Sequence, residues 1–223
     1  MEEGEVRKDA GMEGWLARWY ARTRRNDAAE FARQAEAVAA RLGVRGDVLE
    51  VAPGPGYFAI ALARLGDFRI TGLDLSRTLV GIAAENAMKA GARIDFRIGN
   101  AASMPFAEGA FDFVYCAAAF KNFAAPVRAL DEMHRVLRPG GEAMILDLRK
   151  DVPIAEIDAY VRASGRGAID GWITRQAFRR MLIGRAYTRE AFARMAAESR
   201  FGGCAIETDQ IGLMVRLTKA GNG

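Results

Sequence analysis

The sequence is short of the residues that build metal clusters and disulfide frameworks. Its 223 residues include one histidine, His134, and two cysteines, Cys116 and Cys204, which both lie in apolar runs. A single histidine excludes a multi-histidine metal site within one chain, and no metal is predicted. Two cysteines in apolar runs are typical of reduced core residues, which fits a cytoplasmic protein.

Long apolar runs and targeting signals are also lacking. No stretch of about 18 apolar residues occurs, so we expect no transmembrane helix and no integral membrane contact. The polar start MEEGEVRKD argues against a secretory signal. There is no internal repeat, low-complexity tract or long linker. The net charge of +4 allows an anionic partner without indicating nucleic acid.

What the chain does have is a repeated alternation of strand-like and helix-like segments. Apolar strands are predicted at 47–51, 68–74, 93–98, 111–116 and 142–148. This alternation predicts an α/β fold, a Rossmann-like doubly wound sheet that is mostly parallel. Two final apolar segments, 204–208 and 212–218, are too close together for a crossover helix, so the last strand should pair antiparallel.

A glycine-rich turn separates the first predicted strand from the helix that follows it. The stretch VLEVAPGPGYFAIALARLG places Glu50 before Gly54 and Gly56, whose missing Cβ atoms let a ligand approach the backbone. Such a turn brings backbone N–H groups and a helix N-terminus to the carboxyl edge of the sheet, where open α/β sheets bind ligands. A tight turn without any ligand is the alternative.

A second acid, Asp74, ends the second predicted strand, 24 residues after Glu50. This separation is near the ~20-residue offset at which an acid meets ribose hydroxyls. A helix-capping role beside Ser76 is the alternative, and the two roles are compatible. Because Glu50 would repel a phosphate but attract a cation, the turn favours a nucleoside with a positively charged substituent over a dinucleotide.

Four segments, in order, resemble those of class I S-adenosylmethionine-dependent methyltransferases. The glycine-rich stretch is similar to the family's first motif, with Ala52 in place of the first glycine. The segments TGLDLS, GNAASMPFAEGAFDFVYC and HRVLRPGGEAMILDL are similar to the three that follow, and FKNF resembles the ubiquinone/menaquinone-biosynthesis branch. The resemblance covers nearly the whole chain, 12–219. It implies methyl transfer to a small-molecule acceptor, with S-adenosyl-L-methionine as cofactor.

The resemblance also implies a role for each matched position. Glu50 would lie near the methionine ammonium, Asp74 would hold the ribose hydroxyls and Leu75 would pack on adenine. Asn100 stands where aspartate is more usual, but its amide can both accept from and donate to the adenine edge. The implied cofactor-binding residues are Glu50, Ala52, Gly54, Gly56, Asp74, Leu75, Asn100, Ala101 and Cys116.

On the acceptor side, the resemblance implies helical covers over the site. The chain is predicted to be one domain, 1–223, with an N-terminal helical cap over 1–44 and a helical lid over 152–185, where the strand–helix rhythm breaks. Plain core packing is the alternative for the aromatic residues of the cap, and a solvated position is the alternative for Lys121. The arginine-rich lid is predicted to be a solvated face of a packed helix, and attraction of an anionic acceptor or of a membrane surface is the alternative. The candidate acceptor-binding residues are Trp19, Tyr20, Lys121, Asn122 and Trp172.

No catalytic base is predicted, and the catalytic residues stay unknown. The sulfonium cofactor is already activated, so in-line orientation and water exclusion are expected to supply the rate. The lone helical histidine, His134, is predicted to be structural. Two alternatives stay open: an RNA methyltransferase, for which no RNA-binding module or base-flipping motif is found, and a cofactor-binding protein without methyl transfer. A small-molecule partner is therefore favoured over nucleic acid, and a homodimer is left open.

Overall fold

The computed structural model describes residues 11–163 and 183–221, and within them seven strands form one sheet. The strand order is β3-β2-β1-β4-β5-β7-β6. Strands β1 to β5 pair in parallel, whereas β7 runs antiparallel to both of its neighbours. This topology confirms the predicted doubly wound fold with an antiparallel last strand. The strands are β1 (Arg45–Val51), β2 (Asp67–Asp74), β3 (Ile94–Ile98), β4 (Phe111–Ala117), β5 (Leu137–Leu148), β6 (Ala205–Thr208) and β7 (Gly212–Thr218).

Helices cover both faces of this sheet. Helices α2 and α3 pack on one face, where the rings of Phe58 and Tyr115 stack with their centroids 3.8 Å apart. Helices α5 and α7 pack on the other face, around the buried Leu130, Met133 and Phe192. The α-helices of the described residues are α1 (Gly14–Arg24), α2 (Ala28–Leu42), α3 (Tyr57–Leu62), α4 (Arg77–Ala90), α5 (Pro126–Val136), α6 (Ile154–Ala163) and α7 (Arg189–Glu198).

Helix ends follow the capping signals of the sequence in one clear case and depart from them in another. The Ser76 hydroxyl accepts from the Leu79 N–H at 3.0 Å and starts α4, and the left-handed Gly91 ends it, which are the roles that serine and glycine favour at helix ends. The sequence offers Asp27 or Asn26 as the cap of α2, but Asp27, at the N-cap, makes no side-chain capping bond. Its carboxylate is 2.6 Å from the Arg24 guanidinium instead, because an ion pair across one helical turn competes with the cap.

Strand β5 begins earlier than the sequence pattern predicts. Helix α5 ends at Val136 and β5 starts at Leu137, so the Pro-Gly-Gly turn at 139–141 lies inside the strand. Leu137 pairs with Phe111, whereas Glu142 already pairs with Phe113. This shift in register absorbs the extra residues, as a bulge does. Proline and glycine signal a break in a pattern, so the sequence alone indicated a turn there.

The structure describes the two ends of the predicted lid, 152–185. Helix α6 lies at its start, and a 3-10 turn at Ile183–Arg185 lies at its end. The guanidinium of Arg185 donates to the Asn122 side-chain oxygen at 3.2 Å, so this end reaches the segment that follows β4. Trp172 lies outside the described residues. Among the residues that are described, none forms a helix both long and apolar enough to cross a membrane.

Candidate functional site

The base of the candidate site is the turn between β1 and α3. The backbone enters the left-handed region at Ala52 (φ 57°), Gly54 (φ 55°) and Gly56 (φ 78°). Gly56 has no room for a side chain, since a Cβ atom would come within 2.8 Å of the Phe96 ring. The turn therefore presents bare backbone at the carboxyl end of β1, directly before the first turn of a helix.

Backbone strain marks the same edge of the sheet. In the described part of the chain, two residues other than glycine have a positive φ: Ala52, after β1, and Ala118 (φ 56°), after β4. A left-handed conformation disfavours an L-residue by roughly 1–2 kcal/mol. Because β1 and β4 are neighbours, both strained residues lie at one edge. Strain of this kind clusters at functional sites, which makes this edge the candidate site.

Asp74 fixes the glycine turn from the end of β2. Its Oδ2 accepts from the Gly54 N–H at 3.0 Å, and its Oδ1 accepts from the Ser76 N–H at 2.9 Å. Burial raises the pKa of this carboxyl, while those two backbone donors lower it in part. Each carboxylate oxygen can accept more than one hydrogen bond, so the capping role leaves acceptor capacity for a ligand. The ribose contact of Asp74 stays a prediction.

Glu50 reaches the turn from inside β1 and is left incompletely paired. The residue is 5% exposed, and its Oε2 has no hydrogen-bond partner. Burial raises the pKa of this carboxyl to about 8; the Ala59 backbone N–H opposes the rise, and the nearby Asp74 adds to it. A buried acceptor without a partner is costly, and a charged donor would satisfy it. The site therefore has a place for a cationic group.

Helix α1 lies over the turn and is fixed to α4. The Glu13 carboxylate accepts from the Arg77 and Thr78 N–H groups at 2.8 and 3.0 Å, at the N-terminus of α4. The Tyr20 ring lies against Gly54, since a Cβ atom on that glycine would be 3.5 Å from its Cε1. Burial raises the pKa of the Tyr20 phenol, so the ring stays neutral and can donate a hydrogen bond. Tyr20 therefore covers the turn from the side of α1.

The two tryptophans of α1 do not share this position. Trp15 is 76% exposed and Trp19 is 55% exposed, on the face of the helix opposite the buried Ala17 and Ala21. Core packing, one of the two predicted alternatives, is therefore wrong for both of them. Of the aromatic residues at 15, 19 and 20, Tyr20 is the one that the structure brings to the turn.

The residues predicted to face adenine flank Asp74. The Gly99 N–H donates to the Asp74 backbone oxygen at 2.9 Å, which holds the end of β3 beside β2. The Asn100 side-chain oxygen accepts from the Ala102 N–H at 2.8 Å and leaves the amide NH₂ as a donor. Ala101 is partly buried against the core, and Leu75 keeps an exposed apolar side chain at this edge.

Cys116 does not take the position that the sequence suggested. Its side chain is fully buried in the core that also holds Val51 and Met133, and burial raises the pKa of its thiol well above the usual range. Alternate residues of a strand face opposite sides of the sheet. The Cys116 thiol therefore belongs to the α5 side of the core, and only the strand end lies near the turn.

Lys121 is neither solvated nor free to orient an acceptor. Its Nζ is 2.8 Å from Oδ1 of Asp147, and the two side chains are 3% and 5% exposed. Nζ also donates to the Ala118 backbone oxygen at 2.6 Å, and the Lys121 N–H donates to Oδ2 of Asp147 at 2.9 Å. The pair joins the ends of β4 and β5. Asp147 was missed, although an acid inside the apolar run EAMILDL was the available signal.

His134 lies away from this edge. Its ring packs edge-on against Phe201 at 5.0 Å, and burial together with the Lys219 and Arg200 charges lowers its pKa. Lys219 follows β7 at the end of the strand that pairs with the start of β5, so the neighbourhood is the amino edge of the sheet. The structural role predicted for His134 agrees with this position.

A cavity of about 920 Å³ also lies at the amino edge. Arg138, which lines it, is paired with Asp47 at 2.7 Å and with Asp112 at 2.6 Å. These pairs bridge the starts of β1 and β4. The glycine turn, the strained residues and the unpaired Glu50 oxygen all lie at the other edge, which is why the site is assigned there.

Comparison with known proteins connects this geometry to a family. Residues 49–145 match a family model described as a methyltransferase domain. A demethylmenaquinone methyltransferase of Thermus thermophilus is 37% identical over 101 residues, which are 45% of this chain and 46% of that protein. A ubiquinone/menaquinone biosynthesis C-methyltransferase of Geotalea uraniireducens is 35% identical over 106 residues, 46% of this chain and 45% of that protein.

The fold comparison extends beyond the matched residues. A crystal structure from Methanococcus maripaludis, of a protein proposed to be an S-adenosyl-L-methionine-dependent methyltransferase, is similar with a TM-score of 0.77. It covers 100% of this chain and 99% of that one at 22% identity, which shows a shared fold. The chain spans less than half the length of the two curated relatives that it matches. These findings confirm the predicted resemblance to methyltransferases.

Proposed function

We propose that this chain, whose residues 49–145 match a methyltransferase domain model, transfers a methyl group from S-adenosyl-L-methionine to a small-molecule acceptor. The observation that carries the proposal is the buried, unpartnered Oε2 of Glu50 beside the glycine turn. A cationic ammonium would pair with the Glu50 carboxylate and favour its charged form, and that charged form would repel the phosphates of a dinucleotide.

The residues around the turn suit the remaining parts of the cofactor. Asp74 would accept from the ribose hydroxyls, Leu75 would pack on the adenine ring and the Asn100 amide would donate to its edge. Bare backbone at Gly54 and Gly56 admits the chain that joins these parts. When bound, S-adenosylmethionine supplies a methyl group that is already activated on a sulfonium.

Catalysis is proposed to rest on orientation and water exclusion. Tyr20 closes the turn from above and keeps water from the reacting atoms. Asn122 lies beyond the end of β4, and the bond to its side-chain oxygen from Arg185 leaves its NH₂ free to orient an acceptor. Holding an acceptor atom within about 3–3.5 Å of the methyl carbon accounts for much of the rate that such enzymes reach.

The acceptor class is proposed from the relatives and from the sequence after β4. The two curated relatives named above act in quinone biosynthesis by name, and FKNF, at 120–123, resembles that branch. A reduced quinone ring without a methyl group is therefore the first acceptor class to test. RNA is the second class, because the sequence pI of about 9.3 would favour an anionic polymer.

The test is transfer of an isotopically labelled methyl group. The full chain is incubated with labelled S-adenosylmethionine and either reduced naphthoquinones and benzoquinones or total RNA. The proposal predicts label in the organic extract of the quinone reaction, and about tenfold less label after Asp74→Ala when the cofactor is below saturation. Label in RNA alone would favour the RNA alternative. Binding of S-adenosylhomocysteine without label in any fraction would favour a protein that binds the cofactor without methyl transfer.

A further inference from the structure

Helix α1 presents large apolar side chains to solvent. Trp15, Leu16 and Trp19 are 76%, 40% and 55% exposed. The two indoles are four residues apart and so lie on one side of the helix, which we call the α1 outer face. A soluble surface carries single exposed apolar residues routinely, but two tryptophans and a leucine on three turns of helix form a contiguous patch.

The α1 outer face is flanked by positive charge that no described residue pairs with. The side chains of Arg18, Arg22 and Arg25 are exposed, and none of them makes a hydrogen bond or ion pair with another described residue. The acids nearest to it among residues 11–163 and 183–221 are already engaged. Glu13 accepts from the N-terminus of α4, and Asp27 is paired with Arg24. Within this described part of the chain, the outer face therefore combines an apolar patch with unpaired positive charge.

Neither the fold nor the cofactor site requires this combination. The inner residues Ala17 and Ala21 are the buried residues of α1, and Tyr20 is the residue of this helix that lies against Gly54 in the glycine turn. Glu13 and Met12 fix the start of the helix to Thr78 and Ser76, so the outer face is held in a fixed orientation. The exposed indoles are thus available for a contact outside the chain.

From these contacts we propose that the α1 outer face docks on the surface of an anionic phospholipid membrane. Tryptophan and leucine beside arginine are typical of helices that lie in the interface, where indoles sit at headgroup depth and arginines meet lipid phosphates. A second copy of the chain is a poor occupant, because two outer faces would bring their arginines together.

Docking would place the site beside the bilayer. The helix that carries the outer face also carries Tyr20, so its other side covers the glycine turn. A bound chain would then hold its carboxyl edge close to the lipid, where an apolar acceptor dissolves. The docking itself does not depend on methyl transfer, so the two proposals fail independently.

The test is flotation of the full chain with vesicles. Phosphatidylcholine vesicles with phosphatidylglycerol should carry the protein, vesicles of phosphatidylcholine alone should carry much less, and high salt should release it. Each arginine near an anionic surface is worth about fivefold in affinity, so Arg18→Gln/Arg22→Gln/Arg25→Gln should weaken binding about a hundredfold. Trp15→Ala/Trp19→Ala should also abolish flotation.

Matched controls separate the outer face from surface properties in general. Met88→Ala removes an equally exposed apolar side chain from α4, and Arg45→Gln/Arg64→Gln removes two exposed charges elsewhere; neither should change flotation. Binding of S-adenosylhomocysteine by each variant checks that the fold is intact. The proposal is overturned if the wild-type chain does not float with anionic vesicles, or if the tryptophan variant floats equally well. If the wild-type chain is a dimer that does not bind vesicles, and the tryptophan variant is a monomer, the face belongs to a contact with a second copy.

Discussion

The backbone N–H of Gly54 donates to the Asp74 carboxylate at 3.0 Å, so one side chain joins the turn after β1 to the end of β2. Substituting Asp74 by alanine removes this bond and the bond from the Ser76 N–H together. Each hydrogen bond to a charged group contributes about 1.5–3 kcal/mol. We expect Asp74→Ala to weaken S-adenosylhomocysteine binding about tenfold or more, measured by calorimetry.

The control for this substitution is Asp95→Ala. Asp95 lies on the neighbouring strand β3 with a half-exposed side chain that pairs with Arg97, and its loss should leave the affinity unchanged. Equal affinity of wild type and a folded Asp74→Ala variant would remove Asp74 from the binding site.

Stability should depend on pH through Glu50. Its pKa is about 8 in the folded chain, against a usual value of 4.5. Below pH 4.5 both states hold the proton and the folded state has its full stability. Between pH 4.5 and 8 only the unfolded chain ionises, so the free energy of unfolding falls by about 1.4 kcal/mol per pH unit. Glu50→Gln should remove this slope and be the more stable form at pH 7 to 8, in urea unfolding across this range. If the free energies of unfolding of wild type and Glu50→Gln changed with pH in parallel, the raised pKa of Glu50 would be refuted. Glu36→Gln, at an exposed position, serves as the control.

The same variant should lose affinity while it gains stability. Glutamine keeps an acceptor at the position of Glu50 but cannot carry the charge that attracts an ammonium. We therefore expect Glu50→Gln to bind S-adenosylhomocysteine more weakly than wild type at pH 8. A residue with a purely structural role would not combine these two effects, so unchanged affinity would confine Glu50 to the fold.

The buried pair Lys121–Asp147 should be a determinant of stability. Lys121→Met leaves the Asp147 carboxylate buried without its counter-charge, which typically destabilises a protein by about 3–5 kcal/mol. The double variant Lys121→Met/Asp147→Leu removes both charges and should recover a large part of that loss. Urea unfolding measures both values. Lys89→Met, at an exposed pair with Glu85, should change stability by less than about 1 kcal/mol. An equally small effect of Lys121→Met would contradict the account of the pair.

His134→Ala should keep nearly full methyl-transfer activity. The ring packs on Phe201 at the amino edge, away from the glycine turn. A general base contributes about 10²- to 10⁴-fold to the rate. Steady-state kinetics on a folded variant with normal cofactor affinity therefore distinguish the two cases. A loss of methyl-transfer rate of that size would identify His134 as a general base and would contradict catalysis by orientation alone.

The sequence was sufficient for the fold because local signals and the global arrangement agree. Apolar runs specify the parallel strands, and Ser76 and Gly91 bound α4 as their chemistry requires. The glycine turn and Asp74 were found because backbone approach and strand ends have signatures in residue type and spacing. The Pro-Gly-Gly segment inside β5 was misplaced because a bulge depends on the partner strand.

Features that depend on tertiary contacts could not be predicted from the sequence. Lys121 is paired with Asp147, which lies 26 residues away, and periodicity carries no sign of that contact. The aromatic residues of α1 share a helical spacing, so the pattern could not separate the covering Tyr20 from the exposed Trp15 and Trp19. Cys116 lies near the carboxyl end of β4, as the sequence predicts. The face of the sheet on which its thiol lies depends on the register of β4 with its neighbours.

The central claim is that the edge around Glu50 and Asp74 holds S-adenosylmethionine, and calorimetry of the wild-type chain tests it most directly. S-adenosylhomocysteine and NAD are titrated separately under the same conditions. Because an unpaired acid stands at the turn where a dinucleotide would place its phosphates, we predict binding of S-adenosylhomocysteine and none of NAD. Binding of NAD without binding of S-adenosylhomocysteine would contradict the account.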